Sequence, residues 1–237
     1  MSERHGILET IFEQMAPVHA DGHRFIAVGA VTTLLFFLLW PPIGWLLALV
    51  TAWIVYFFRD PARVTPMRDG LVVSAADGRI SGIESVKPPS ELGFGSDERV
   101  RISTFLSVFD VHINRAPVAG QIIRSVYVPG AFFNAALDKA SEENERRALV
   151  IQTASGAEVG VVQIAGLVAR RIVTFSNQGD SVSAGQRFGL IRFGSRVDIY
   201  LPPGRHALVS VGQRTVGGET VLADLKSDEP EREARKD

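Results

Sequence analysis

From Phe25 to Phe58 the chain runs FIAVGAVTTLLFFLLWPPIGWLLALVTAWIVYFF, without one charged side chain between Arg24 and Arg59. That is longer than the roughly 20 residues that cross a bilayer once, and too apolar for a solvated helix. Pro41-Pro42 interrupts it near the middle, where missing N–H groups and ring clashes stop a continuous helix, so the pattern predicts a hydrophobic helical hairpin over 25–58. Sixteen residues at about 1.5 Å rise cover about 24 Å, short of a hydrocarbon core of about 30 Å, so a tilted or re-entrant hairpin fits as well as two full spans. Arg24 before the run and Arg59, Arg63 and Arg68 after it put both flanks on the cytoplasmic side of a cell membrane. A cleaved signal peptide is the competing reading, against which stand the length of the run and the lack of a small-residue cleavage site; a buried core hairpin is the other.

Beyond Asp60 the pattern becomes short apolar runs broken by Gly, Pro, Asn and Asp: GLVVSAADGRISGIESV, RVRISTFLS, GQIIRSVYV, ALVIQTASGAEVGVVQIAG and RIVTFSNQGD. These predict a mainly β (α+β) domain over 60–225. Alternation in GAEVGVVQIAG and RVDIYLP predicts half-buried strands, and Asp77-Gly78 marks a turn. The glycine and valine spacing of QGDSVSAGQRFGLIRFGSRVDIYLP is that of carrier-domain hammerheads, and predicts a compact antiparallel sandwich with Gly194-Ser195 at the entrance of a strand. Phe132 to Leu149 is the longest helical candidate outside the hairpin. The charged end, 226–237, lacks aromatics and reads as a disordered tail.

Charge and composition narrow the chemistry. The 25 Lys and Arg balance 26 Asp and Glu without a block of either sign, which excludes a nucleic-acid footprint. There is no cysteine, so disulfides, thiolate metal sites and thiol nucleophiles are excluded, and no metal is expected. Of five histidines only His112 and His206 follow the hydrophobic run. The informative residues are Asp77 in SAADGRIS, Asp110, His112, Asn114 and Arg115 in STFLSVFDVHINRAPVAG, and Gly194 and Ser195 in IRFGSRVDIYLP. By type they offer an acid, an imidazole and a hydroxyl, the elements of an activated nucleophile. Each also has a plain structural reading: a lone histidine in a β domain, an Asp-Gly turn, a Gly-Ser turn.

The set FLSVFDVHINRAPVAG, the downstream Asn144-Glu145-Arg146 and FGSRVDIYLP, in that order, resembles the phosphatidylserine decarboxylase family in its short bacterial branch. The likeness extends from about Asp60 to Leu225. It implies a proenzyme that cuts itself between Gly194 and Ser195, leaving a larger chain 1–194 and a smaller chain 195–237, with Ser195 becoming a pyruvoyl group. That cofactor would form a Schiff base with phosphatidylserine and release carbon dioxide, giving phosphatidylethanolamine in phospholipid biosynthesis. By the same resemblance Asp77, His112 and Ser195 form a relay in which the acid orients the imidazole and the imidazole takes the hydroxyl proton. Arg115 stands where the longer branch carries a second histidine, so His112 is expected to serve both steps. Arg115 and Arg196 are candidates for the substrate phosphate, since guanidinium binds phosphate oxygens in pairs. Expected partners are phosphatidylserine, membrane lipid, and the chain's own cleaved pieces, which are in turn candidates for a homo-oligomer. Two alternatives stay open: a lipoyl- or biotinyl-type carrier, suggested by Asp138-Lys139-Ala140, and a membrane serine hydrolase using the same three side chains.

Overall fold

The computed structural model describes residues 16–131, 143–166, 171–192, 194–232 and 234–235. The chain forms two compact units, divided between Ala62 and Arg63.

The first unit is the helical hairpin. Helix α1 (Ala20–Leu39) begins ahead of the charge-free run because the His19 ring caps it, accepting from the Asp21 N–H at 3.3 Å, and Asp21 suits the positive end of the helix. Its 20 residues reach about 30 Å, so the first half is long enough for a hydrocarbon core where the uncharged stretch alone fell short. Trp40 is extended and ends α1. Pro41 and Pro42 then open helix α2 (Pro41–Phe57), where their missing N–H groups cost nothing. Small residues let the two helices meet: a Cβ on Gly29 would lie 2.7 Å from the Thr51 hydroxyl, and Thr33 and Thr51 share a hydrogen bond of 3.2 Å. The outward side carries exposed Val31, Leu34, Leu38, Trp45, Leu46 and Leu49, an apolar surface that water does not favour.

The second unit is antiparallel β structure. Its strands are β1 (Leu71–Val73), β2 (Gly78–Val86), β3 (Arg99–Leu106), β4 (Ile113–Arg115), β5 (Gly120–Val128), β6 (Arg146–Gln152), β7 (Glu158–Ala165), β8 (Ile172–Thr174), β9 (Ser181–Val182), β10 (Arg187–Ile191), β11 (Ser195–Tyr200), β12 (Arg214–Thr215) and β13 (Val221–Asp224). Eight of them form one sheet in the order β12-β2-β3-β11-β7-β6-β5-β9, accompanied by the smaller sheets β4-β10-β8 and β1-β13. The main core lies between: Ile102, Leu149, Val161 and Val197 from the large sheet pack with Phe188 and Ile191 of β10 and with Val72 and Leu222 of the β1-β13 pair. A smaller cluster around Leu92, Val162 and Tyr200 covers the other face.

Strand β11 sits at the centre of the large sheet, bonded along its length to β3 and β7. The alternation in RVDIYLP predicted one wet face, yet all six residues of β11 are buried. Two of the polar positions pair with each other instead: Arg196 and Asp198, two apart and therefore on one face, form a hydrogen bond of 3.0 Å and a second N–O contact of 2.9 Å. The helix expected over 132–149 is corrected at its end, because 146–149 belong to β6; residues 132–142, and with them Asp138-Lys139-Ala140, lie outside the described residues. Residues 226–232 form no helix or strand, but the Ser227 carbonyl accepts from Arg205 at 3.0 Å.

Candidate active site around Gly194 and Ser195

The site is built where two strand ends meet. Strand β3 ends at Leu106, and the chain then turns through Ser107–Val111 before β4 begins. The turn is closed by the Asp110 carboxylate, which accepts from the Ser107 N–H at 2.8 Å and from its hydroxyl at 2.7 Å. His112 follows, fully buried. Its Nδ1 lies 2.9 Å from the Asp110 carbonyl oxygen, and its Nε2 accepts from the Gly194 N–H at 3.1 Å. Those two contacts define the tautomer. An Nε2 that accepts from an amide carries no proton, so the proton is on Nδ1, donated to the carbonyl.

Gly194 is held left-handed at φ +68, a conformation that L side chains resist. Ser195 comes next as the first residue of β11, opposite Leu106 on one side and Ala165 on the other. Its hydroxyl is buried and has no hydrogen-bond partner among the described residues. Ser195 shares its sheet face with Val197 and Ile199, towards the main core. A wholly buried hydroxyl ordinarily finds a partner, so this one, next in the chain to the amide that His112 Nε2 accepts from, stands out from a packing residue.

The other expected residues are distributed differently. Asp77 is partly buried; its Oδ2 accepts from Arg63 at 2.6 Å and its Oδ1 from the Gly217 N–H at 2.8 Å. Burial pushes its carboxyl above the ordinary value, against the opposing pull of the Gly217 amide and Arg63. The acceptor seen at His112 Nδ1 is thus a main-chain carbonyl, while the Asp77 carboxylate ties Arg63 to the 216–218 turn. Arg115 is buried and donates to the Gly185 carbonyl at 3.0 Å. Arg196 points from β11 to the face opposite Ser195 and is taken up by Asp198. Neither guanidinium is presented at the Ser195 hydroxyl, and His206 is exposed. No cluster of three metal-ligating side chains occurs among the described residues.

Four supporting side chains were not legible as such. Asn144, buried, donates from Nδ2 to the Ala165 carbonyl at 2.7 Å and so holds the residue opposite Ser195. Glu145 accepts from the Ile172 N–H at 3.1 Å, and Arg146 pairs with Glu91. The Asn144-Glu145-Arg146 motif thus braces neighbouring strands. Gln163, opposite Val197, donates to Asn114 Oδ1 at 2.7 Å, joining the large sheet to β4 in the interior.

Comparison with known proteins gives one consistent answer. The family model described as phosphatidylserine decarboxylase matches residues 50–223. A protein of Nitrobacter winogradskyi called phosphatidylserine decarboxylase proenzyme is 59% identical over 213 residues, covering 90% of this chain and 86% of that one. Its namesake in Cereibacter sphaeroides is 56% identical over 216 residues, covering 91% and 93% respectively.

Proposed function

Because the chain belongs to the phosphatidylserine decarboxylase family, we propose that it is made as a proenzyme that cuts itself between Gly194 and Ser195 and decarboxylates phosphatidylserine with a pyruvoyl group formed from Ser195. The observation that carries this reading is the buried Ser195 hydroxyl without a partner, one residue beyond an amide bound to His112 Nε2.

In the proposed cut the Ser195 Oγ attacks the Gly194 carbonyl carbon as His112 Nε2 takes the hydroxyl proton. The C–N bond breaks, the proton passes to the departing Ser195 nitrogen, and an ester joins Gly194 to Oγ. Loss of the α-proton then expels the Gly194 carboxylate. The remaining enamine tautomerises and takes up water, releasing ammonia. As a glycine, residue 194 takes its left-handed conformation, φ +68, without the cost an L side chain would meet, which lets the bond to be cut sit at the bend into β11. The Asp110 carbonyl keeps the imidazole proton on Nδ1, which is the orienting role first assigned to Asp77. Asp77 acts at one remove, fixing Arg63 and the 216–218 turn.

The pyruvoyl group supplies the electron sink for carbon dioxide loss. The chain's own part is to bury that position, exclude water, and return a proton through His112. The hairpin holds the domain at the cytoplasmic side of the membrane, where substrate arrives by lateral diffusion. Strands from the smaller piece, 195–237, remain paired with the larger one.

Mass measurement of the purified protein tests this directly. Two fragments are expected, the smaller starting with pyruvoyl at 195, and Ser195→Ala is expected to stay one chain of 25.8 kDa without activity. An uncut Ser195→Ala protein with full activity would overturn the reading. Labelling of the mature enzyme at Ser195 by a fluorophosphonate would favour a serine hydrolase instead.

A further inference from the structure

Four exposed residues form one patch at the end of the large sheet where β11 begins. Phe109, at the tip of the turn that carries His112, is 62% exposed, and Val211 is 63% exposed. Phe109 is not on a loose loop. Its own N–H reaches the Ser107 hydroxyl at 3.3 Å, inside the turn that the Asp110 carboxylate closes. Val211 lies in the turn before β12, and the Gly212 carbonyl of that turn accepts from Arg79 at 2.9 Å. Arg214, its side chain 75% exposed, lies 3.6 Å from the Asp110 carboxylate and directly opposite Arg79 in the β12–β2 pair. The two arginines therefore bind the Phe109 turn and the Val211 turn into one surface. Arg79 and Arg196 both lie opposite Phe105, one residue from the Ser195 row, which puts the patch at the active-site end.

Each arginine commits only one or two of its five N–H donors to these ties and leaves the rest to solvent. An aromatic and an aliphatic tip between two cations is the composition that enters the interfacial zone of an anionic bilayer. We infer that this edge docks on the membrane surface: Phe109 and Val211 enter the headgroup region, and Arg79 and Arg214 meet anionic lipid oxygens. The inference rests on the reading above, in which the substrate is itself an anionic bilayer lipid. It adds that the Ser195 end of the sheet faces the bilayer through a surface separate from the hairpin.

The absence of cysteine makes the test clean. Phe109→Cys, Val211→Cys and Ser155→Cys are each labelled with an environment-sensitive fluorophore in the full chain, reconstituted in nanodiscs of phosphatidylcholine alone or mixed with phosphatidylglycerol. Phosphatidylglycerol is anionic but has no amine to react. Ser155, in the exposed β6–β7 turn, is the control at the opposite end of the sheet. Labels at 109 and 211 are expected to shift to the blue and to be quenched by headgroup-depth nitroxide lipids only when phosphatidylglycerol is present, with 155 unchanged. Replacing Arg79 or Arg214 by Gln is expected to lower the docked-to-undocked ratio roughly fivefold each. Water-like spectra at both 109 and 211 in the anionic discs would overturn the inference. So would equal blue shifts without anionic lipid, which would mean that another protein surface, such as a second copy, covers the patch. Should Phe109→Cys fail to fold, Val211→Cys carries the test alone. Self-cleavage of the same samples, read on a gel, reports separately on the Ser195 reading.

Discussion

Gly194 offers a perturbation whose size follows from the backbone. It is left-handed at φ +68, and among the described residues beyond its chain neighbours a Cβ built there would meet nothing nearer than the Val108 Cγ1 at 3.9 Å, an ordinary contact. A side chain at 194 therefore changes the conformational energy of that residue with no steric clash to confuse the result. Holding alanine left-handed costs about 1–2 kcal/mol, which lowers the population of the observed conformation roughly 5- to 30-fold. If cleavage starts from that conformation, Gly194→Ala slows it by about the same factor. Asparagine, which tolerates this region, is expected to slow it less, and valine more. Pulse-labelled protein from cell-free synthesis gives the rate as the decay of full-length chain into two fragments. The order Gly, Asn, Ala, Val is the result expected. Cleavage of Gly194→Ala at the wild-type rate, or Asn slower than Ala, would show that the left-handed glycine has no part in the reaction.

Further outcomes follow from the same contacts. His112→Gln keeps a polar side chain beside the Gly194 amide but removes the base, and cleavage is expected to fall by about 10²- to 10⁴-fold in the same assay. Asn144→Ala leaves the buried Ala165 carbonyl without its donor, a loss of roughly 1–3 kcal/mol, and the Ser195→Ala form carrying it is expected to melt roughly 2–12 °C lower in a thermal shift assay. Burial works to raise the Asp224 carboxyl, but the Lys226 N–H and Arg68 outweigh it and hold the group below its ordinary value. Stability from Asp224 is therefore present above about pH 4 and lost as pH falls through the lowered value, so Asp224→Asn is expected to weaken the fold at pH 7 and to flatten the acid side of its stability curve. Alkaline carbonate extraction is expected to leave the chain in the membrane pellet, and its release would contradict an inserted hairpin.

The hairpin, the β class and the strand entrance at Ser195 were legible because each is written in residue type: a charge-free run split by two prolines, a two-residue alternation, and a glycine where the chain must bend. What stayed hidden depends on tertiary partners. That β11 is buried on both faces follows from Arg196 finding Asp198 on its own strand, and local alternation cannot distinguish that from a wet face. The contact at His112 Nδ1 is to a main-chain carbonyl, which every residue carries, so no motif could announce it, whereas the Asp77 carboxylate stood out by residue type. Asn144 was visible only through its motif, and its work of holding Ala165 is a matter of strand register. Both guanidiniums expected to meet phosphate have structural partners, while of two exposed arginines Arg79 stands in SAADGRIS two places from the Asp77 that drew attention, and Arg214 lies in a segment without any motif.

The placement of Ser195 at the head of the central strand has a consequence for how often the molecule can be made. A break before β11 separates a short piece whose strands lie between β3 and β7, against β2, and against β1. The piece cannot drift away without dismantling the middle of the sheet. Once denatured, it would have to find the larger piece by diffusion, with its central strand no longer delivered by the chain. Folding would then be a single unimolecular event that precedes the chemistry. The cut enzyme would then persist by the slowness of its unfolding, its lifetime set by barrier height more than by equilibrium.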